Sequence, residues 1–189
     1  MTGVQTCALP IFFVYQSKSA DSLASCCRLR NEISDHTFSY SLGAGGVATG
    51  SINVITLNMN RLIQQKRNLA EEVRKIHKYQ VAFRKLIEEY KNAGLLPVYD
   101  AGFISLDKQF LTIGINGMVE AAEYLDIAPT NNEQYKEFVR HHLKIIYDEN
   151  RKARQIYGYM FNTEFVPAEN LGVKNALWDK KSEIGRAHV

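Results

Sequence analysis

Gly50-Ser51-Ile52-Asn53-Val54-Ile55-Thr56-Leu57-Asn58 carries four aliphatic side chains in nine positions and no charge. A run this short and this continuously apolar predicts a strand buried on both faces, as parallel sheets require. The stretch before it, residues 38–50, holds Gly43, Gly45, Gly46 and Gly50 with little charge. By itself it reads as a flexible linker. Glycines also let backbone approach other groups closely, so the same stretch suits a loop threaded through a crowded interior. Further upstream, Cys26-Cys27-Arg28-Leu29-Arg30 lies among polar residues. Before that, Phe12-Phe13-Val14-Tyr15 predicts a short strand and residues 17–24 a loop.

Downstream of Asn58 the period changes. Leu62, Leu69, Val73, Ile76, Phe83, Ile87 and Tyr90 fall at helical spacing and predict one helix over 61–93, stopped by Gly94. Acidic and basic residues alternate between them, which marks a solvated face rather than a phosphate site. Residues 95–99 read as extended chain or turn, because positions before a proline avoid the helix. Residues 110–115 predict a second strand, and Asn116 a cap for a short helix carrying Met118, Val119, Ala121, Ala122 and Leu125. Asn131 or Asn132 caps a longer helix. Its stripe is Tyr135, Phe138, Val139, His142, Ile146, Ala153 and Ile156, and it ends near Gly158. Residues 159–166 predict another strand, and Pro167 suits the first turn of a helix reaching Leu177. Strand and helix alternate, which argues an α/β layout with parallel strands.

Composition excludes several classes. A chain of 189 residues, 46% hydrophobic and 23% charged, is ordinary for a globular domain with a real core. A net charge of +3 is too small to point to nucleic acid. No apolar run approaches the roughly 20 residues of a membrane helix. Of three cysteines, Cys26 and Cys27 are adjacent, and no disulfide framework is present. A reducing cytoplasm fits that usage best. There is no Cys-x-x-Cys pair, and His36, His77, His141 and His142 lack metal-ligand spacing, so no metal is expected in this chain. His142 reads as a packed, hydrogen-bonded histidine, and Trp178 and the tyrosines as packing residues. Two adjacent cysteines are more often buried or incidental than reactive. A thiol is nonetheless suited to give up a hydrogen atom, its S–H bond being weaker than most C–H bonds, and it serves as a nucleophile when ionised.

Four runs, in order, resemble the anaerobic (class III) ribonucleoside-triphosphate reductases, a glycyl-radical enzyme family. They are Cys27-Arg28, Gly50 through Asn58, Thr112-Ile113-Gly114-Ile115-Asn116-Gly117-Met118-Val119-Glu120-Ala121, and Asn162-Thr163-Glu164-Phe165-Val166-Pro167-Ala168-Glu169. The resemblance covers residues 20 to 180. It implies part of a ten-stranded α/β barrel, the C-terminal half, with Cys27 at the tip of a finger loop. It implies that Cys27 forms a transient thiyl radical with Cys26 and Arg28 beside the substrate. Pro167, Ala168 and Glu169 would lie near the substrate triphosphate. There a helix N-terminus offers backbone N–H groups, and Glu169 would repel phosphate through its side chain. Ser51 occupies a catalytic position that is Asn in formate-using members. Asn53, two positions on, would share its face in a regular strand and substitute for it. The reductant is therefore open between formate and a thiol protein.

The resemblance implies further parts. A glycyl radical sits on a residue missing from this chain, installed by a radical-SAM iron–sulfur activase. ATP/dNTP effectors and zinc belong to missing domains, and the parent is a homodimer. No nucleic-acid or membrane partner is implied. Residues 1–11 and 183–189 read as translated sequencing adapters, which leaves 12–182 as a barrel fragment, expected to be inactive alone. Two other readings stand beside this one. One is a different glycyl-radical enzyme, of formate-lyase or dehydratase type. The other is a non-catalytic α/β binding module in which the cysteine pair is incidental.

Overall fold

The structure, a computed structural model, describes residues 23–24, 30–31, 50–166 and 169–181. The long apolar run forms strand β3, Gly50–Asn58, as predicted, but of its residues only Leu57 is buried, because β3 ends the described sheet with β4 as its single neighbour there. It follows two short strands, β1 Leu23–Ala24 and β2 Arg30–Asn31, which pair antiparallel with Ala24 opposite Arg30. These strands fall in stretches read as loop. The predicted strand at 12–15 and the glycine-rich stretch up to residue 49 lie outside the described residues.

The single helix expected over 61–93 is two helices, α1 Met59–Gln64 and α2 Leu69–Asn92. Two local features break it. Lys66 adopts a left-handed φ of 52°. Asn68 then caps α2, its side chain accepting from the Glu71 N–H at 3.2 Å. The α2 stripe also differs from its aliphatic reading. Val73 and Ile76 are buried, but so are His77, Gln80 and Arg84, whereas Phe83 and Tyr90 are exposed. Residues 97–100, read as extended chain or turn, form a one-turn helix, α3 Pro97–Asp100, with Pro97 in its first turn.

After a 3₁₀ turn at Leu106–Lys108 comes β4, Gln109–Asn116, buried along almost its whole length. Helix α4, Met118–Tyr124, is entered through Gly117 at φ 74°, not through an Asn116 cap. Asn116 is instead the last residue of β4. A Cβ at position 117 would stand 3.1 Å from Asn58 Oδ1 and 3.2 Å from the Asn60 nitrogen, so only glycine suits the turn. Helix α5, Glu133–Tyr157, begins at its Asn132 cap and ends at Gly158 in the left-handed conformation, as expected. Strand β5, Met160–Phe165, follows, then α6, Glu169–Lys181.

β3, β4 and β5 form one parallel sheet in that order. Leu57, Ile113 and Ile115 on one face pack with Val73, Ile76, Ala121, Ala122, Phe138 and Ile146 from the helices. Each buried Leu, Ile, Val or Phe side chain of this set contributes roughly 1.5–3 kcal/mol. The helix side is also pinned by polar ties. Gln80 Nε2 donates to the Thr112 carbonyl at 2.7 Å. Asn150 accepts from His77 Nε2 at 2.8 Å and donates to Thr163 Oγ1 at 2.8 Å. Helix α6 is held to α1 by Arg61, which donates to Asp179 through Nε at 3.2 Å and through a terminal nitrogen at 2.8 Å. His142 is packed as expected, with Nδ1 2.7 Å from the Phe138 carbonyl and its ring against that phenyl group. Trp178, Tyr79 and Tyr147, read as packing residues, are exposed, as is Ile156 of the predicted α5 stripe.

Candidate active site

Side chains alternate along β4, so Phe110, Thr112 and Gly114 point away from the helices that cover Ile113 and Ile115. On this second face the sheet is polar. Ser51 Oγ lies 2.5 Å from Thr112 Oγ1, and the Thr112 hydroxyl donates to Asn162 Oδ1 at 2.6 Å. One residue of each strand thus joins a continuous chain of hydrogen bonds across the sheet. Glu164, two residues beyond Asn162, shares its face and pairs in register with Gly114. Burial pushes the Glu164 carboxyl above the usual carboxylate range.

Gly114 makes this face close. A Cβ there would come within 2.6 Å of Thr56 Oγ1 and 2.9 Å of Val166 Cγ1, closer than packed atoms tolerate. The neighbouring strands therefore fold in over a bare backbone.

A β-bulge decides which polar residue of β3 reaches this face. The pairing runs Ser51 to Phe110, then Asn53 to Leu111, which leaves Ile52 as the extra residue. The bulge reverses the alternation upstream of it, so Ser51 joins Val54 and Thr56 on the Thr112 side. Asn53 falls on the opposite face, in alternation with Val54, and its Oδ1 is buried without a partner. The expectation that Ser51 and Asn53 share a face is therefore corrected, and Asn53 does not stand in for the residue at position 51.

Cys26, Cys27 and Arg28 fall in sequence between β1 and β2, and they lie outside the described residues, as do Pro167 and Ala168. Glu169 opens α6, directly after the β5 connection. What the sequence did not single out is the partnership of Thr112 and Asn162 with Ser51, and the position of Glu164. All three residues stood in quoted runs; the two-residue period through Asn162 and Glu164 was the available signal.

A shallow groove of about 250 Å³ lies between α2 and α5, lined by Arg74, His77, Lys78, Glu149 and Lys152. It sits in the helix layer, and its Arg74 and Lys152 are both committed to Glu149, at 3.2 and 2.7 Å. It offers less chemistry than the sheet face. Among the described residues no group of three or more His, Cys, Asp or Glu is placed to hold a metal ion. Nor is any helix among them long and apolar enough to cross a membrane.

Parallel strands with helices on one face and a hydrogen-bonded polar row on the other define a piece of an α/β core. The family described as anaerobic ribonucleoside-triphosphate reductase matches residues 4–186, and the chain belongs to that family. A solved anaerobic ribonucleotide reductase superposes with a TM-score of 0.66 at 31% identity, over 76% of this chain and 26% of its own. The Thermotoga maritima anaerobic ribonucleotide reductase with citrate in the active site gives 0.64 at 33% identity, over 70% and 27%. The same Thermotoga maritima enzyme in complex with dATP and CTP gives 0.58 at 34%, over 64% and 23%. The chain thus spans about a quarter of the length of these solved relatives. No curated protein matches it.

Proposed function

We propose that the parent protein is an oxygen-sensitive ribonucleoside-triphosphate reductase that supplies deoxyribonucleotides for DNA synthesis. The observation that carries this reading is the family match, which runs through nearly the whole chain. Overall, the ribose 2′-hydroxyl leaves as water while two electrons and two protons enter from formate or a thiol protein. A relative in complex with dATP and CTP supports nucleoside triphosphates as the ligands.

Cys27 is the residue whose sulfur, as a thiyl radical, takes a hydrogen atom from the ribose and so becomes a thiol, with Cys26 and Arg28 next to the sugar. Ser51 meets the ribose from the sheet, and Glu164, whose carboxyl burial raises above the usual carboxylate range, stands on the same face. Ala168 and Glu169 receive the triphosphate through backbone N–H groups at the start of α6, with Pro167, which has no N–H, lying beside them. In this reading residues 12–182 belong to a ten-stranded barrel, with Cys27 on its finger loop. The parent is a homodimer that carries zinc and ATP/dNTP effector sites elsewhere. A glycyl radical outside this chain, made by a radical-SAM activase, supplies the oxidising equivalent.

The test is Cys27→Ser in the full-length parent, assayed anaerobically after activation for conversion of CTP to dCTP. Turnover is expected to vanish while circular dichroism and CTP binding persist. Retained turnover would overturn the assignment of Cys27.

A further inference from the structure

Ser51 is exposed, yet its hydroxyl is not free to turn. A hydroxyl carries one proton and two lone pairs. The Thr112 proton is given to Asn162 Oδ1, so toward Ser51 the Thr112 oxygen has only a lone pair to offer. The Ser51 proton therefore goes to Thr112. Thr112 is itself immobile, being 0% exposed, with its carbonyl held from the helix side by Gln80.

We propose that Thr112 and Asn162 are positioning residues that commit the Ser51 proton inward, so that Ser51 meets its ligand as a hydrogen-bond acceptor and recognises a ribose hydroxyl as donor. The inference rests on the reading of this face as the ribonucleotide site. It concerns the direction of one hydrogen bond there. A site built this way discriminates against a ligand whose hydroxyl proton is missing, because the Ser51 lone pair is then left unmatched.

The test is equilibrium dialysis of the full-length parent, before radical installation, with CTP and its 2′-fluoro and 3′-fluoro analogues. Fluorine replaces the hydroxyl at similar size but donates nothing. One fluoro analogue is expected to bind about three- to tenfold more weakly than CTP. Thr112→Val and Asn162→Ala release the Ser51 proton, and each should bring that ratio within about twofold. Thr112→Ser, which restores the relay, should keep it. A purely structural role would weaken all three ligands together and leave the ratio alone. Asn162 is only half-buried, so Asn162→Ala decides the matter if Thr112→Val does not fold. Equal affinity for all three ligands, or a ratio untouched by both variants, overturns the inference while leaving the ribonucleotide site intact. That is also the outcome if the Asn162 amide is turned over, since the chain of donors would then run outward. A parent that binds no CTP overturns the functional reading, and the inference with it.

Discussion

His77 is 2% exposed, and its Nε2 donates to Asn150 Oδ1 in the tie between α2 and α5. Burial is the largest influence on it and lowers its pKa below 6.5, against the smaller opposing pulls of Asn150 and Glu149. The unfolded chain therefore takes up this proton first as the pH falls. His77 contributes stability that is present above about pH 6.5 and is lost as the pH drops through the interval below it. Glu164 runs the other way. Its carboxyl is raised by burial, so the folded chain keeps a proton that the unfolded chain has released, and stability declines as the pH rises above about 4.5. Urea midpoints between pH 4 and 8 should rise with pH in the histidine interval. His77→Gln should flatten that part of the profile, and an unchanged slope would refute the assignment to His77. Asn53 belongs to the same scale. A buried acceptor without a partner costs about 1–3 kcal/mol, so Asn53→Val should leave the urea midpoint equal or higher. A fall of more than about 1 kcal/mol would mean that Asn53 makes a contact that offsets the cost.

Between elements, Asp179 carries the attachment of α6. Its carboxylate is buried and receives two donors from Arg61, whereas Val173, Leu177 and Trp178 on the same helix are exposed. With so little apolar anchoring, Asp179→Ala should free α6 at a cost of about 1–3 kcal/mol, because the half-buried Arg61 loses its partner. Trp178 is the chain's one tryptophan, so steady-state anisotropy at its emission reads α6 alone. Anisotropy should fall in the variant and hold in Val173→Ser. The elements also show where sequence reading succeeds. β4, β5, α5 with its Asn132 cap, and the Gly158 stop follow from period and end signals that are local. The break between α1 and α2 needed Lys66 to adopt a positive φ, which no residue type there advertises. The burial of His77, Gln80 and Arg84 depended on partners far along the chain, in α5, β4 and the turn before β4. The bulge at Ile52 is the most consequential case. It exists only as a mismatch between β3 and β4, and it decides that Ser51 rather than Asn53 faces Thr112.

For the whole molecule, the sheet itself sets the last expectation. Its order is β3, β4, β5, so among the described strands only β4 has a neighbour on each side. Parallel strands are ordinarily covered on both faces, and open edges invite pairing with other chains. Among the described residues β3 and β5 each leave one edge unpaired, Val54 and Phe165 on them are exposed, and so are Leu177 and Trp178 on α6. Solved relatives are about three times as long as this chain. The 189-residue chain by itself should therefore self-associate, and it should show no conversion of CTP to dCTP even with activase and reductant supplied. Light scattering across a concentration series checks the first expectation, and an anaerobic assay the second. Turnover by the chain alone would mean that its polar sheet face and residues 26–28 are sufficient for the chemistry. A monomer with full amide protection in β3 and β5 would mean that the edges are already covered by residues of this chain. Replacing Val54 at the exposed edge with Lys separates the causes. It should suppress association if edge pairing drives it, and leave association unchanged if the apolar face of α6 does.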